Sequence, residues 1–318
     1  MKSSSELFPV SLVRADVVVD EFIEDTYLLK PNSSNDKSVQ FAVTRLGYYK
    51  PNTERTGQPV ILVHGSFTNR GFWFSSKGKG LARYLLEHNL DPWMLEMRGH
   101  GDSPANTHYK LNNVEAYAEF DLPAAQAFVT EQTKQKPIWL GHSLGGVTIA
   151  TSIAGGHLTV ENNLGLILIG SQVSRFPIPL RIPFLRLAAK IILSVKKPII
   201  KSSLGPEHEP MGIAKEFVRH AGWLSGWKSQ SGIKYWHKLT KLSIPVLAFA
   251  GGRDPGDPAK HCKKLALSID NEAKFYELSK KNGMAHDFGH IDMVIGKHAE
   301  TEVWPKITKW IHSIQGNN

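Results

Sequence analysis

One nine-residue stretch, Ile138 to Gly146, constrains the fold more than any other part of the chain. It reads Ile-Trp-Leu-Gly-His-Ser-Leu-Gly-Gly, an apolar run typical of a buried strand, and it continues into a helix-like sequence. The turn between them is so tight that a side chain two residues before or after the serine would clash, so Gly141 and Gly145 flank Ser143. Such a turn lifts the serine hydroxyl clear of the sheet, beside backbone N–H groups at a helix N-terminus. We therefore predict that Ser143 is a nucleophile.

The composition places the chain among globular proteins and limits the partners it can bind. Its 318 residues, 41% hydrophobic and 21% charged, suffice for one large α/β domain that carries an insertion. The net charge of +9 is spread over lysines from Lys2 to Lys309 without any DNA- or RNA-reading signature, so we expect no nucleic-acid partner. The single cysteine, Cys262, cannot form an internal disulfide, and charged residues interrupt the apolar residues near the start of the chain. These features predict a cytoplasmic protein.

Short apolar strands alternate with amphipathic helices along most of the sequence. We predict strands at Val17 to Leu29, Val39 to Tyr48, Val60 to Val63, Pro92 to Met97, Pro137 to Leu140, Leu164 to Ile169, Pro245 to Ala250 and Lys274 to Leu278. We predict helices at Leu81 to Glu87, Val114 to Glu131, Gly145 to Ala154, Pro258 to Ile269 and Thr301 to Ile314. This alternation predicts an α/β fold whose mostly parallel central sheet has helices on both faces and functional residues at the carboxyl ends of its strands.

The interval from Gln172 to Leu242 breaks the alternation. It is too long for an ordinary crossover between strands, and it is rich in proline, tryptophan and basic residues. We therefore predict a helical cap at residues 172–242, inserted into a core that comprises residues 1–171 and 243–318.

A serine hydroxyl is a poor nucleophile unless a base takes its proton, and the base needs an acid to orient it. In α/β folds with this kind of turn, the chain order is serine, then aspartate or glutamate, then histidine, each on a loop after a strand. The strand Pro245 to Ala250 ends in Gly-Gly-Arg-Asp, and we predict Asp254 as the acid. Asp257 is the alternative, and Asp254 could also simply begin the turn before Pro255.

The base is sought among the fourteen histidines, of which those after the last predicted strand fit the chain order. His290 follows a glycine that lets its loop approach the serine, so we predict His290 as the base, with His286 as the alternative. Two histidines four residues apart also suggest a metal site. The glycine between them argues against a helix that presents both on one face, so we expect no metal.

Backbone donors are needed for the negative charge that develops on the attacked carbonyl oxygen. The N–H of Leu144, directly after the serine, is one predicted donor. The second is predicted in the His-Gly-Ser-Phe loop after Val60 to Val63, as the Ser66 N–H, with the Phe67 N–H as the alternative. Phe67 and His142, next to a predicted donor and the nucleophile, are the expected substrate contacts.

Five short motifs occur in the order of a known superfamily. They are His64-Gly65, Arg98-Gly-His-Gly-Asp-Ser103, Gly141-His-Ser-Leu-Gly145, Gly251-Gly-Arg-Asp254 and Gly289-His290. Together they resemble the serine-nucleophile branch of the α/β-hydrolase superfamily over roughly Val60 to Ile314. Within that branch, the turn at Arg98 and the segment from His290 to Gly296 are similar to the acid-lipase and related bacterial esterase groups.

The resemblance implies a serine hydrolase that cleaves a carboxylic ester with an apolar acyl or alcohol part. Ser143 would attack the carbonyl, His290 would take and return the proton, Asp254 would orient His290, and an acyl-enzyme would form. No cofactor or metal is implied. Two alternatives stay open: acyl transfer or cleavage of an amide or peptide bond by the same triad, and a receptor of this fold that binds a small ligand with little turnover.

Inside the predicted cap, one helix has two chemically distinct faces. The basic or polar face carries Arg186, Lys190, Ser194 and Lys197. The apolar face carries Phe184, Leu187, Ala188, Ile191, Ile192 and Val195. We expect the apolar face to cover the active-site cleft and the basic face to meet water. The alternative is peripheral docking on an anionic lipid surface.

Two further groups of cap residues have weaker interpretations. Trp223, Trp227 and Trp236 either line an acyl pocket or fill the core of the cap. The run Glu207-His208-Glu209 has side chains of the ligand type, but prolines bound its loop, so we expect it to be solvated.

Overall fold

The computed structural model describes residues 10–19, 21–49, 57–195, 199–201, 203–221, 226–239 and 242–315. Its strands are β1 Val10–Val17, β2 Phe22–Leu29, β3 Phe41–Tyr48, β4 Gln58–Val63, β5 Leu90–Leu95, β6 Ile138–His142, β7 Gly165–Ile169, β8 Ile199–Ile200, β9 Glu209–Pro210, β10 Val246–Gly251 and β11 Lys274–Leu278. The main sheet has nine strands in the order β1-β2-β3-β5-β4-β6-β7-β10-β11. The pairs from β1 to β5 in that order are antiparallel, and those from β5 to β11 are parallel. The predicted mostly parallel sheet is confirmed.

Helices fill the intervals between these strands. They are α1 Leu81–Glu87, α2 Val114–Ala116, α3 Leu122–Thr133, α4 Leu144–Gly155, α5 Ile178–Arg181, α6 Pro183–Val195, α7 Met211–His220, α8 Tyr235–Leu239, α9 Ala259–Ile269 and α10 Trp304–Gln315. A π-helical turn at Tyr117–Asp121 joins α2 to α3, and a second at Ala299–Val303 leads into α10. The helix predicted from Val114 to Glu131 is therefore a continuous run of helical turns.

Two apolar layers enclose the sheet, because successive strand residues point to opposite faces. On one face, Val63 of β4 and Trp139 of β6 pack in a cluster with Phe128 of α3. On the other face, the adjacent Leu62 belongs to a second cluster together with Ile307 of α10. Helices on both faces leave the carboxyl ends of the parallel strands as the edge where polar side chains can gather.

The start of the chain departs from the prediction of a single strand from Val17 to Leu29. Two antiparallel strands, β1 and β2, pair there, and the Val18 N–H donates to the Phe22 carbonyl at 3.0 Å. The strand β1 lies at the edge of the sheet and most of its residues are exposed. An exposed edge strand carries charged residues such as Arg14, and this weakens the apolar pattern from which strands are predicted.

The described part of the interval between β7 and β10 contributes no strand to the main sheet. It contains α5 to α8 and the separate two-stranded pair of β8 and β9. The predicted cap, residues 172–242, thus falls between two neighbouring strands, and its division from the core stays a prediction. Among the described residues, no helix is both long and apolar enough to span a bilayer.

Candidate active site

Ser143 lies in the turn between β6 and α4 with backbone angles of φ 52° and ψ −119°, a strained conformation for a residue with a side chain. Close packing explains the glycines around it. A Cβ on Gly141 would lie 2.5 Å from the Gly146 nitrogen, and one on Gly145 would lie 2.2 Å from the Val63 carbonyl oxygen. The Ser143 N–H donates to the Ile169 carbonyl at 2.9 Å, which holds the turn against the end of β7.

His290 and Asp254 meet at the same edge of the sheet. The His290 Nδ1 lies 2.6 Å from the Asp254 Oδ2, and the Oδ1 of that carboxylate accepts from Gly256 N–H at 2.9 Å and from Asp257 N–H at 3.0 Å. The ring of His290 also lies against Gly170, where a Cβ would be 3.3 Å from Nδ1. Because Nδ1 is engaged with a carboxylate, Nε2 remains as the nitrogen that can accept a proton.

The electrostatics of this pair suit a base held by an acid. Burial alone would raise the pKa of Asp254, but the hydrogen bond from His290 and those from two backbone N–H groups lower it below its ordinary value. Burial alone would lower the pKa of His290, but the hydrogen bond and charge of Asp254, with the charge of Asp257, raise it above its ordinary value. Asp257, the alternative acid, lies 3.5 Å from His290 Nδ1, and burial raises its pKa to about 6.

His142 contacts His290 and is not among the described residues that line the cavity. It is 3% exposed, its Nε2 donates to the His290 carbonyl at 2.9 Å, and its ring packs on Phe72 with centroids 4.7 Å apart. Burial lowers the pKa of His142 to about 3, so the ring is neutral. It is not among the described residues that line the cavity beside Ser143, and this weighs against the substrate contact predicted from the sequence.

Both predicted backbone donors belong to residues that line this cavity, Ser66 and Leu144. Leu144 is the first residue of α4, where an N–H has no acceptor within its helix. A Cβ on Gly65 would lie 3.1 Å from the Ser143 Cβ, so the Ser66 loop passes directly over Ser143. The alternative donor, the Phe67 N–H, instead donates to Glu209 Oε1 at 2.7 Å. This contact favours Ser66 as the second donor.

Glu209 and His100 form a buried ion pair that the sequence did not predict. Glu209, in β9, is 1% exposed, so the expectation that it is solvated is wrong. His100 donates from Nδ1 to the Arg98 carbonyl at 3.2 Å and from Nε2 to Glu209 Oε1 at 3.2 Å, and two acceptors require a ring with both protons. Burial lowers the pKa of His100, but the hydrogen bond and charge of Glu209 outweigh burial and raise it above its ordinary value.

The neighbouring residues of this segment also bind the loop at Phe67. The Glu207 N–H donates to the Phe67 carbonyl at 3.0 Å, and its carboxylate accepts from Asn69 Nδ2 at 2.6 Å. A Cβ on Gly205 would lie 2.1 Å from the Phe67 carbonyl oxygen. The cap segment thus holds both peptide groups of Phe67, whose φ of 62° is unusual for a phenylalanine.

His286, the alternative base, has a different acidic partner. Its Nε2 lies 3.4 Å from Asp292 Oδ2, and its ring packs against Phe288 with centroids 4.0 Å apart. Donor atoms of His286, His298 and Glu302 lie within 4.8 Å of one another, as do those of Asp254, Asp257 and His290. The second group consists of the predicted acid and base with the alternative acid, and its close spacing follows from their hydrogen bonds.

A cavity of about 630 Å³ opens beside Ser143. The predicted cap supplies much of its wall, and the apolar lining includes Val173, Phe176, Ile192, Leu193, Ile213, Phe217, Val218 and Trp227. Trp227 therefore lines the cavity, whereas Trp236 packs on Trp227 with centroids 5.3 Å apart. Trp223 lies outside the described residues. The shape and lining fit a largely apolar ligand.

The orientation of α6 differs from the expectation. Its inner side, which includes Ala189 and Leu193, lines the cavity, but Phe184, Leu187, Ile191 and Val195 face away and are exposed. Ile192 of the predicted apolar face lines the cavity, but the rest of that face is not among the described lining residues, so the prediction that the face covers the cleft holds for Ile192 alone. Of the predicted basic face, Arg186 is half-buried and Lys190 is exposed, while Lys197 lies outside the described residues.

Comparison with known proteins agrees with this geometry. Human gastric triacylglycerol lipase is 32% identical over 133 residues, which cover 38% of this chain and 30% of the lipase. A tear acid lipase-like protein of Mesocricetus auratus is 23% identical over 81% of this chain and 83% of its own length. The chain spans about a third of the gastric lipase sequence that it matches, and the match to the tear protein is longer but weaker.

Solved structures share the fold at lower identity. A thermophilic esterase from Thermogutta terrifontis superimposes with a TM-score of 0.62 at 18% identity, covering 90% of this chain and 98% of that one. A monoacylglycerol lipase from Paleococcus ferrophilus gives a TM-score of 0.57 at 16% identity, covering 86% and 99%. Residues 60–266, more than half of the chain, match the profile of the alpha/beta hydrolase family. This match, with the tight turn at Ser143 and the parallel sheet, shows that the chain belongs to the alpha/beta hydrolase family.

Proposed function

We propose that the protein is a serine hydrolase that cleaves carboxylic esters through a Ser143–His290–Asp254 triad. Ser143 attacks the ester carbonyl while His290 Nε2 takes its proton, and the N–H groups of Leu144 and Ser66 stabilise the oxyanion. His290 then returns the proton to the departing alcohol, which leaves an acyl-enzyme. A water molecule deprotonated by His290 releases the acid and restores Ser143.

The contact between His290 and Asp254 is the observation that carries the proposal. A 2.6 Å hydrogen bond from Nδ1 to a buried carboxylate selects the tautomer whose Nε2 is a proton acceptor. The same carboxylate stabilises the imidazolium that forms when Ser143 loses its proton. The strained turn at Ser143, next to the first N–H groups of α4, adds the second requirement for this chemistry.

The cavity supports an ester with an apolar part as the substrate. Apolar side chains dominate its wall, and Ser143 lies at its edge with both predicted oxyanion donors. The relatives named as lipases and esterases agree with that substrate class. We therefore expect turnover of p-nitrophenyl esters, with a preference for acyl chains long enough to enter the cavity.

The decisive experiment combines active-site labelling with turnover. Wild-type protein should react with a fluorophosphonate probe and hydrolyse p-nitrophenyl esters, and Ser143→Ala should lose both activities while it keeps its circular dichroism spectrum. Ser268→Ala, a remote serine on α9, is the matched control and should behave as wild type. Labelling that persists in Ser143→Ala would refute the assignment of the nucleophile. Labelling of the wild type without turnover of any ester, thioester or amide would instead indicate a ligand receptor of this fold.

A further inference from the structure

An apolar stripe runs along the outer side of α6. Phe184, Leu187, Ile191 and Val195 lie three or four residues apart, so they share one face of the helix, and we call them the outer stripe. Their exposed fractions are 69%, 58%, 59% and 82%. Ile178, in the preceding helix α5, is 74% exposed. Large apolar side chains grouped on one exposed face are uncommon in monomeric soluble proteins and indicate a binding surface.

The helix α6 packs on the rest of the protein with the side opposite the outer stripe. The opposite side of α6, which includes Arg186, Ala189 and Leu193, is half-buried against the rest of the protein. A helix of this kind in a globular protein normally places its most apolar face inward and its charged face outward. Here the larger apolar side chains lie outside, while the half-buried side includes Arg186, so the more apolar face of α6 is the exposed one.

The stretch of sequence that contains the outer stripe carries charge of one sign. Between Glu161 and Glu207 the sequence contains no acidic residue. The same interval contains seven basic residues: Arg175, Arg181, Arg186, Lys190, Lys196, Lys197 and Lys201. Lys190 and Arg181 are exposed on or next to α6. A basic surface around an apolar stripe is complementary to lipid headgroups that carry negative charge.

The outer stripe is also continuous with the candidate active site. Ile191 and its neighbour Ile192 are both exposed, and Ile192 also lines the cavity that Ser143 lines. One helix therefore separates the outer stripe from the cavity by its own diameter, about 10 Å. A surface in contact with the stripe would lie close to the wall of the substrate cavity.

We propose that the outer stripe of α6 docks the protein on an anionic lipid surface. The four apolar side chains enter the boundary between headgroups and acyl chains, and the surrounding arginines and lysines contact lipid phosphates. Docking places the cavity wall beside a source of esters with apolar chains, yet the binding itself does not depend on turnover. The inference can therefore be tested separately from the proposed function.

Flotation of the full chain with vesicles tests the proposal. Wild type should bind vesicles of equal parts phosphatidylglycerol and phosphatidylcholine at low salt, and bind vesicles of phosphatidylcholine alone much more weakly. Leu187→Ser with Ile191→Ser should lower the partition coefficient at least tenfold, since each change removes a side chain that would leave water on docking. Arg181→Gln, Lys190→Gln and Lys201→Gln together should lower it by about a hundredfold at low salt and by much less at high salt.

The matched control is Leu12→Ser with Val13→Ser, which alters an equally exposed apolar pair on β1. This variant should bind vesicles as wild type does. All variants are checked by circular dichroism and by turnover of a water-soluble ester, which the outer-stripe changes should leave unaltered because Leu187 and Ile191 do not line the cavity.

Three results would overturn the proposal. Wild type could fail to bind anionic vesicles at low salt, or the outer-stripe variant could bind as tightly as the control. Sedimentation could also show a dimer that dissociates in the outer-stripe variant, which would make a second copy of the chain the partner.

Discussion

The Glu209 carboxylate accepts a hydrogen bond from the Phe67 N–H at 2.7 Å, so a residue of the predicted cap holds the loop that passes over Ser143. The same oxygen accepts from His100 at 3.2 Å, and its partner oxygen Oε2 is buried without a hydrogen bond within the described residues. One buried charge thus connects the cap, the Ser66 loop and the Arg98–Ser103 turn. The position of the predicted cap and the geometry of the Ser66 loop are therefore linked.

Replacing Glu209 with alanine should lower both stability and turnover. The change leaves the Phe67 N–H and the His100 ring without their acceptor, and hydrogen bonds to charged groups contribute about 1.5–3 kcal/mol each. We expect the free energy of unfolding in urea to fall by about 3 kcal/mol. Turnover should fall about tenfold or more, with little change in KM, because the Ser66 donor shifts.

Glu207→Gln is the control for this variant, because Glu207 belongs to the same segment but its side chain bonds to Asn69 and Gly101. Glu207→Gln should lower the free energy of unfolding by less than about 1 kcal/mol, since the amide oxygen can still accept a hydrogen bond. Turnover should stay near that of wild type. Equal losses of turnover in Glu209→Ala and Glu207→Gln would show that turnover depends on general packing of this segment on the core. The specific contact between Glu209 and the Phe67 N–H would then be unimportant for turnover.

The pair of Glu209 and His100 should make stability depend on pH. Because the folded protein raises the pKa of His100 above 6.5, the pair contributes fully below the unfolded pKa, and its contribution is lost as pH rises through the folded pKa. His64, whose ring lies 5.1 Å away, acts in the opposite sense, since burial lowers its pKa to about 3. Its contribution is lost as pH falls below about 6.5.

Urea unfolding of wild type and Glu209→Gln over a range of pH distinguishes the contribution of His100 to stability from that of His64. The difference in unfolding free energy between wild type and Glu209→Gln should be largest below pH 6.5 and should shrink as pH rises, since the substitution removes the anionic partner of His100 alone. A difference that is constant with pH would mean that His100 is not charged in the folded protein.

Asp254→Asn should lower kcat for ester hydrolysis by about 10⁴-fold, because an amide cannot hold the required tautomer of His290 or stabilise its cation. In wild type the raised pKa of His290 moves the acid limb of the kcat/KM profile to higher pH than an ordinary histidine would give. The residual activity of the variant should show that limb at lower pH. Asp292→Asn, which alters the partner of His286, should change neither quantity.

Ile192 and Ile191 are adjacent exposed residues of α6, and they provide a matched test of the cavity. Ile192 lines the cavity, whereas Ile191 is not among the described lining residues. Ile192→Ala removes cavity wall and should shift the acyl-chain preference, measured with p-nitrophenyl esters of increasing length, toward longer chains. Ile191→Ala should leave the preference unchanged. A shift in the Ile191 variant alone would mean that α6 is turned the other way in solution.

Gly145→Ala should destabilise the fold, because its new methyl group would lie 2.2 Å from the Val63 carbonyl oxygen, a backbone atom that cannot move aside. We expect a loss of about 3 kcal/mol of unfolding free energy and a strong loss of labelling by fluorophosphonate. Gly71→Ala, where the nearest atom is a side-chain oxygen at 3.0 Å, should be far milder in urea unfolding.

Local patterns were sufficient to predict most of the elements and the residues of the candidate triad. The strand Lys274–Leu278 and the helix Leu81–Glu87 have the predicted bounds, because each combines a clear periodicity with turn residues at both ends. Asp254 and His290 were identified by chain order after predicted strands, and parallel strands bring their carboxyl ends to one edge. The two side chains are hydrogen-bonded there.

The sequence alone determined the alternation of strands and helices, the tight turn at Ser143 and the candidates for acid and base, since all of these depend on residues close together in the chain. Only the tertiary structure decided that Glu209 is buried against His100, that His142 supports His290, and that the outer side of α6 is apolar. Each of these depends on partners from 109 or 148 residues away, or on which side of a helix meets the core. Helical periodicity groups residues onto faces, but the contacts across the fold determine which face is covered.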